Sequence, residues 1–320
     1  MGGGVWDSGA YTSSKATRAA TKTPDFAYTV SASSVHPNLE PKRINSKPFG
    51  KLEARDSDDH PNSHPVFVAF DVTGSNYERA VDAQQKLPNL MELLNKYVSD
   101  PQVAIAANDD FDPMVRLRGS HDGCLQVSDF ESDIRVDEHI RNIWLTRNGG
   151  GNSGESYDLL LYVAARKVVL DSIEKRGKKG YFFMYADEPI FNQVKASEVS
   201  AVFGDTIQAD IPIAEIIEEA RRNFDIFVIW PTGGYDNARK QYVDLFGAES
   251  VLTLQHPNLI CELIASTIGL YEDKATPASI VTDLVAYGVD HHTATALVKV
   301  SEHAVASSLA TSGAGKAARL

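Results

Sequence analysis

The sequence predicts an α/β fold: a doubly wound, mostly parallel sheet with helices on both faces. Three observations carry this. Short, continuous apolar runs recur: VFVAF at 66–70, QVAIAA at 102–107, GYFFMYADE at 180–188 and DIFVIWP at 225–231. Runs of that length without alternation mark strands buried on both faces. Segments with apolar residues at helical spacing separate them, and strand–helix alternation implies parallel pairing. Apolar residues make up 43% of the 320, enough to fill a large core.

The alternating region spans residues 64–273. Residues 1–63 precede it as an extended arm, and 274–320 follow as a helical hairpin with a flexible tail. The arm is rich in Ser, Thr, Gly, Pro and charge. SKATRAATKTPDFAYTVSASS shows no sustained helical period, so it is expected to be part strand, at FAYTV, and part loop. Trp6, Phe26, Tyr28 and Phe49 are its candidate docking residues. EARDSDDHPNSHP at 53–65 is a polar, proline-punctuated boundary.

After the first strand, NYERAVDAQQKLPNLMELLNKYV places Leu87, Leu90, Met91, Leu94 and Val98 at helical spacing. Pro88 is expected to bend or interrupt that helix. The segment RLRGSHDGCLQVSDF at 116–130 suits a hairpin or edge strand, and VDEHIRNIWL a short helix or a further strand. ESYDLLLYVAARKVVLDSIEKRG at 155–177 is expected to be one long helix packed against the sheet. PIAEIIEEARRNF, NARKQYVDLFG and NLICELIASTIGLYED are further helices, with a strand at SVLTLQ, 250–255. The tail fits two short helices around Gly288.

The net charge is −12, from 31 Lys and Arg against 43 Asp and Glu. Such a balance disfavours nucleic acid and anionic lipid as partners. The two cysteines, Cys124 and Cys261, lack C-x-x-C spacing and read as buried thiols of a reducing compartment. No secretory signal and no membrane-spanning run stands out, so a cytoplasmic protein is expected.

Parallel strands gather their carboxyl-terminal loops at one edge of the sheet, where such folds bind ligands. Those loops carry oxygen donors. The first strand runs into DVTGS, with Asp71, Thr73 and Ser75. The second ends in NDDFD at 108–112, which reads as a solvated turn. GGGNSGES at 149–156 precedes the long helix, and the third strand ends in Asp187 and Glu188. Gly149, Gly154 and Ser156 sit at phosphate-loop spacing, but Glu155 stands in the lysine position and would repel phosphate. Glu155 is expected instead to favour the helix N-terminus. Hard oxygens of this kind suit Mg²⁺, Mn²⁺ or Ca²⁺ rather than zinc.

Asp71-Val72-Thr73-Gly74-Ser75 after a buried strand resembles the Asp-x-Ser/Thr-x-Ser motif of von Willebrand factor A domains, which opens their metal-ion-dependent adhesion site. GGGNSGES is similar to the Gly-rich loop that supplies a hydroxyl there, with Ser153 matched. MYADEP resembles the turn that supplies the final aspartate, Asp187. The family usually has Thr where this chain has Asn152-Ser153, and Ala186 and Glu188 depart from its commonest third motif. The segments EARDSDDHPNS, DVTGS, GGGNSGESYDLLLYVAARK and EKRGKKGY, taken in that order, also resemble a group of bacterial and phage proteins of the family. The resemblance implies a metal site of Asp71, Thr73, Ser75, Ser153 and Asp187, holding Mg²⁺ or alternatively Mn²⁺ or Ca²⁺. It implies a binding module rather than an enzyme, capturing a partner's Asp or Glu carboxylate, in intracellular complex assembly and often with AAA+ ATPases.

Two alternatives stand beside it. The arm and the helical tail would suit an assembly subunit of a phage-like particle. A strand ending in Asp-Val-Thr also resembles the Asp-x-Asp-x-Thr/Val motif of haloacid-dehalogenase phosphatases. There, however, Thr73 stands where the second aspartate of a Mg-dependent phosphohydrolase belongs.

Overall fold

The computed structural model describes residues 4–72, 76–109, 124–145 and 155–317, without the side chains of Tyr77, Arg79 and 307–317. In chain order the helices are α1 (Ser8–Thr21), α2 (Ala27–Ser31), α3 (Tyr77–Tyr97), α4 (Arg135–Arg141), α5 (Tyr157–Arg166), α6 (Asp171–Arg176), α7 (Ala196–Phe203), α8 (Ile213–Ala220), α9 (Asp236–Phe246), α10 (Ile260–Tyr271), α11 (Pro277–Ala286) and α12 (His291–Ala317). The strands are β1 (Leu52–Ala54), β2 (His64–Asp71), β3 (Pro101–Asn108), β4 (Leu125–Val127), β5 (Val168–Leu170), β6 (Gly180–Tyr185), β7 (Gln193–Val194), β8 (Ile211–Pro212), β9 (Phe224–Pro231) and β10 (Val251–Leu254).

The main sheet runs β10-β9-β6-β2-β3-β4. All its pairs are parallel except β3 with β4, which is the antiparallel edge. Every residue of β2 and β3 is buried, as continuous apolar runs require of central strands. Side chains alternate between two helical layers. Val66, Val68 and Phe70 of β2 join a core with α3, α4, α10, α11 and α12. Phe67 and Ala69 join a second core with α5, α7, α8 and α9. The doubly wound α/β class is therefore as the strand runs foretell.

The path of the chain reverses at β2. It steps from β2 to β3 on one side, and later returns to place β6 on the other. The crevice at the carboxyl ends of β2 and β6 is thus the topological switch point. Gly180 opens β6 with a close approach: a Cβ there would lie 2.6 Å from the Pro65 carbonyl oxygen.

Four local expectations give way. Residues 8–21 are helical and docked, not an extended arm, and FAYTV lies in α2 rather than a strand. Asp7 caps α1, its Oδ1 accepting from the Gly9 and Ala10 amides at 2.7 and 3.1 Å. The helix escaped the periodicity reading because its buried residues are Tyr11 and Arg18, not an apolar stripe. Trp6 and Phe26 dock in the first core, whereas Phe49 is exposed.

Pro88 does not interrupt α3. A proline removes the amide that would bond the carbonyl four residues back. That carbonyl, Gln84 O, instead accepts the Tyr11 hydroxyl at 2.9 Å in a buried setting. The docked N-terminal helix thereby satisfies the group that Pro88 orphans.

Residues 155–177 are not one helix. α5 ends at Arg166, and Val168–Leu170 pair in parallel with β1 before α6 begins. The β-branched Val168 and Val169 favour a strand, and β1, from the N-terminal region, provides its edge. The tail holds α11 and then a second helix of 27 residues, α12, rather than two short ones. Of residues 116–130, the described part forms the edge strand β4, and VDEHIR forms α4.

Candidate metal centre

Asp71 is the last residue of β2 and is fully buried. By alternation it lies on the face of Phe67 and Ala69, which α5 covers. Tyr157, the first residue of α5, donates its hydroxyl to Asp71 Oδ2 at 2.6 Å. Burial, and next the Asp71 carboxylate, push the Tyr157 phenol well above its usual range. It therefore stays protonated and acts as a neutral donor.

Asp187 lies two residues beyond β6. Asn76, immediately before α3, donates its amide to Asp187 Oδ2 at 2.8 Å. The other oxygen, Oδ1, is buried without a hydrogen-bond partner among the described residues. Asn76 thus ties the loop after β2 to the loop after β6.

The loop carrying Asp187 is pinned from two sides. Tyr242 of α9 donates to the Glu188 carbonyl at 3.0 Å. Gln241 donates to the Ile190 carbonyl at 2.8 Å and accepts from the Ile190 amide at 3.1 Å. The Glu155 amide donates to the Pro189 carbonyl at 3.0 Å. Glu155 is buried two residues before α5, so its backbone braces this loop, and the acid in the first helical turn is Asp158.

Negative charge accumulates here. Burial first, then Asp71, Asp187 and Glu155, push the Tyr242 phenol well above its usual range. Asp158 adds none of this charge, because burial, with Glu198 nearby, raises its carboxyl well above the usual carboxylate range and favours the neutral form. The donors tied to Asp71 Oδ2 and Asp187 Oδ2 are neutral and cancel none of the charge. A buried carboxylate is either protonated or paired with a cation. With an orphaned Asp187 oxygen in the same place, this donor set fits a hard divalent ion.

Of the five sequence-predicted ligands, Asp71 and Asp187 stand at the ends of the two strands flanking the switch point. Thr73, Ser75 and Ser153 lie outside the described residues. Among the described residues no group of three or more His, Cys, Asp or Glu side chains is placed to hold a metal ion. A set of two carboxylates and three hydroxyls does not require one. Sequence reasoning missed Asn76, Tyr157, Gln241 and Tyr242. Asn76 directly follows DVTGS and could have been flagged by position. Tyr157 looked like one more apolar residue of a buried helix, and nothing local marks Gln241 or Tyr242.

No protein-family model and no curated protein matches the chain. Solved structures do. A von Willebrand factor type A protein from Catenulispora acidiphila matches at 15% identity and TM-score 0.36, over 65% of this chain and 42% of that one. The vWF domain of the type V pili tip protein Mfa5 from Porphyromonas gingivalis matches at 10% identity and TM-score 0.40, over 65% of this chain and 95% of that one. The pilus adhesin SpaC from Lactobacillus rhamnosus GG matches at 9% identity and TM-score 0.45 over 67% of this chain. The chain spans 31% of the SpaC length. With scores below 0.5 these likenesses carry nothing about the site. No helix among the described residues is long and apolar enough to cross a membrane.

Proposed function

We propose that this chain is a metal-dependent protein-binding module of the von Willebrand factor A type. One observation carries the reading. Asp71 and Asp187 sit at the carboxyl ends of β2 and β6, beside the switch point, each with an oxygen held by a neutral donor. Asp71, Thr73, Ser75, Ser153 and Asp187 would hold Mg²⁺, with Mn²⁺ or Ca²⁺ as alternatives. When bound, the cation supplies an electrophilic position that attracts a partner's Asp or Glu carboxylate. Tyr157 and Asn76 orient the two carboxylates and carry no charge themselves. Tyr242 and Gln241 keep the Asp187 loop at the crevice. The setting we propose is cytoplasmic complex assembly, with an AAA+ ATPase as a partner class and neither nucleic acid nor membrane involved.

Calorimetry with Mg²⁺ tests the site. Asp71→Ala should abolish binding, and circular dichroism should show that the sheet stays folded, because the residue ends β2 and no apolar contact of the core is lost. Ser153→Ala should weaken binding less, and Ser153→Thr should preserve it, since only the oxygen is needed. Unchanged affinity in folded Asp71→Ala would sink the assignment. Affinity capture in Mg²⁺ against EDTA then tests the partner.

A further inference from the structure

We propose that Asn108 is a further residue of this cation site, a neutral amide that takes up the hydration of the ion held by Asp71 and Asp187. The inference rests on the metal-dependent reading above and names a residue that reading does not use. In sequence Asn108 opens the Asp-rich run NDDFD, which suggests a solvated turn. The structure places it elsewhere. It is the last residue of β3, fully buried, and the register partner of Asp71 on the neighbouring parallel strand.

Alternation puts both residues on one face. Ala104 and Ala106 of β3 share their core with Phe67 and Ala69 of β2, and Asn108 and Asp71 continue those two rows. Adjacent strands run roughly 4.8 Å apart. The Asn108 backbone is used, its carbonyl accepting the Val72 amide at 2.9 Å. Its side chain is not: Oδ1 and Nδ2 are both buried without a hydrogen-bond partner among the described residues.

A buried carboxamide with both ends unpaired is rare, because each lost hydrogen bond to water goes uncompensated. Packing does not ask for it, since the rows beneath are Ala and Phe. Asp187, whose Oδ1 is likewise buried without a partner among the described residues, follows β6 on the other side of β2. A hydrated cation supplies what the amide lacks. Water on a cation donates strongly, which suits Oδ1, and the oxygens gathered around the ion accept, which suits Nδ2.

The test compares wild type with Asn108→Leu, Asn108→Asp and Asp71→Ala. The readouts are thermal denaturation in EDTA and calorimetric titration with Mg²⁺. Asn108→Leu should be at least as stable as wild type in EDTA, since it removes an unpaired amide, yet bind Mg²⁺ about tenfold more weakly. Asn108→Asp should be less stable in EDTA, bind Mg²⁺ at least several-fold more tightly, and regain stability when Mg²⁺ is added. Either variant decides if the other fails to fold. Wild-type Mg²⁺ affinity in both, with Asp71→Ala abolishing binding, would overturn the role of Asn108 and leave the metal site standing. Failure of the wild type itself to take up Mg²⁺, Mn²⁺ or Ca²⁺ would overturn both.

Discussion

The contact between Tyr11 and α3 makes a quantitative prediction. Pro88 sits inside α3 and cannot donate to the Gln84 carbonyl, which accepts the Tyr11 hydroxyl at 2.9 Å. Tyr11→Phe should leave that carbonyl buried and unpaired, at a cost of about 1–3 kcal/mol. The side-chain amide of Gln84 would also lose its 3.3 Å contact to Tyr11 but would keep Asp137 Oδ1 at 2.9 Å. A loss of roughly 2 kcal/mol is therefore expected. Pro88→Ala returns an amide at residue 88 that can close the helical bond to Gln84. In that background Tyr11→Phe should cost at least about 1 kcal/mol less. Urea denaturation of the four proteins of this cycle, with midpoints compared at constant m, measures the coupling. Additivity within about 0.5 kcal/mol would refute the claim that Tyr11 satisfies the group Pro88 orphans.

Two further outcomes follow from buried ionisable groups. His64 is buried against Tyr181, and burial foremost lowers its pKa from 6.5 to about 4. The unfolded chain therefore binds more protons between pH 6.5 and 4, so His64 contributes stability above that window and loses it as pH falls through it. Its share is on the order of 3 kcal/mol, and His64→Gln should flatten the acid limb of a stability–pH curve; an unchanged slope would contradict the assignment. Asp137 is buried and accepts from Arg18 at 3.4 Å, Gln84 at 2.9 Å and Arg141 at 2.9 Å. Asp137→Ala should cost about 3–5 kcal/mol by stranding those donors. It should also make α1 the first segment cut in limited proteolysis, and wild-type protection of α1 would count against this anchor.

Much of the fold was legible because central parallel strands must be apolar on both faces. VFVAF, QVAIAA, GYFFMY and DIFVIWP could hardly be anything else, and their order with the intervening helices implies the doubly wound sheet. Short-range patterns failed where a long-range partner decides the local state. KVVL continues a helical run, yet it becomes β5 because β1, more than 100 positions earlier, offers an edge to pair with. Pro88 reads as a break until Tyr11 reaches across to Gln84. α1 shows no stripe because Tyr11 and Arg18, rather than aliphatic residues, face the protein.

The site divides in the same way. The residue types and order alone place Asp71 and Asp187 at strand ends, because a parallel sheet must put those ends together. Sequence position could flag Asn76 beside DVTGS but not its partner, and it could not assign Tyr157 or Asn108. Asn76 and Asp187 are 111 positions apart, and Tyr157 and Asp71 are 86 apart. Asn108 sat in a run whose composition pointed to solvent, whereas its register beside Asp71 buries it. Local chemistry is written in the order of residues, but which polar groups meet, and which are left unpaired, is set by strand order and helix packing. Those depend on burying the whole apolar surface at once, and no window of the sequence contains that balance.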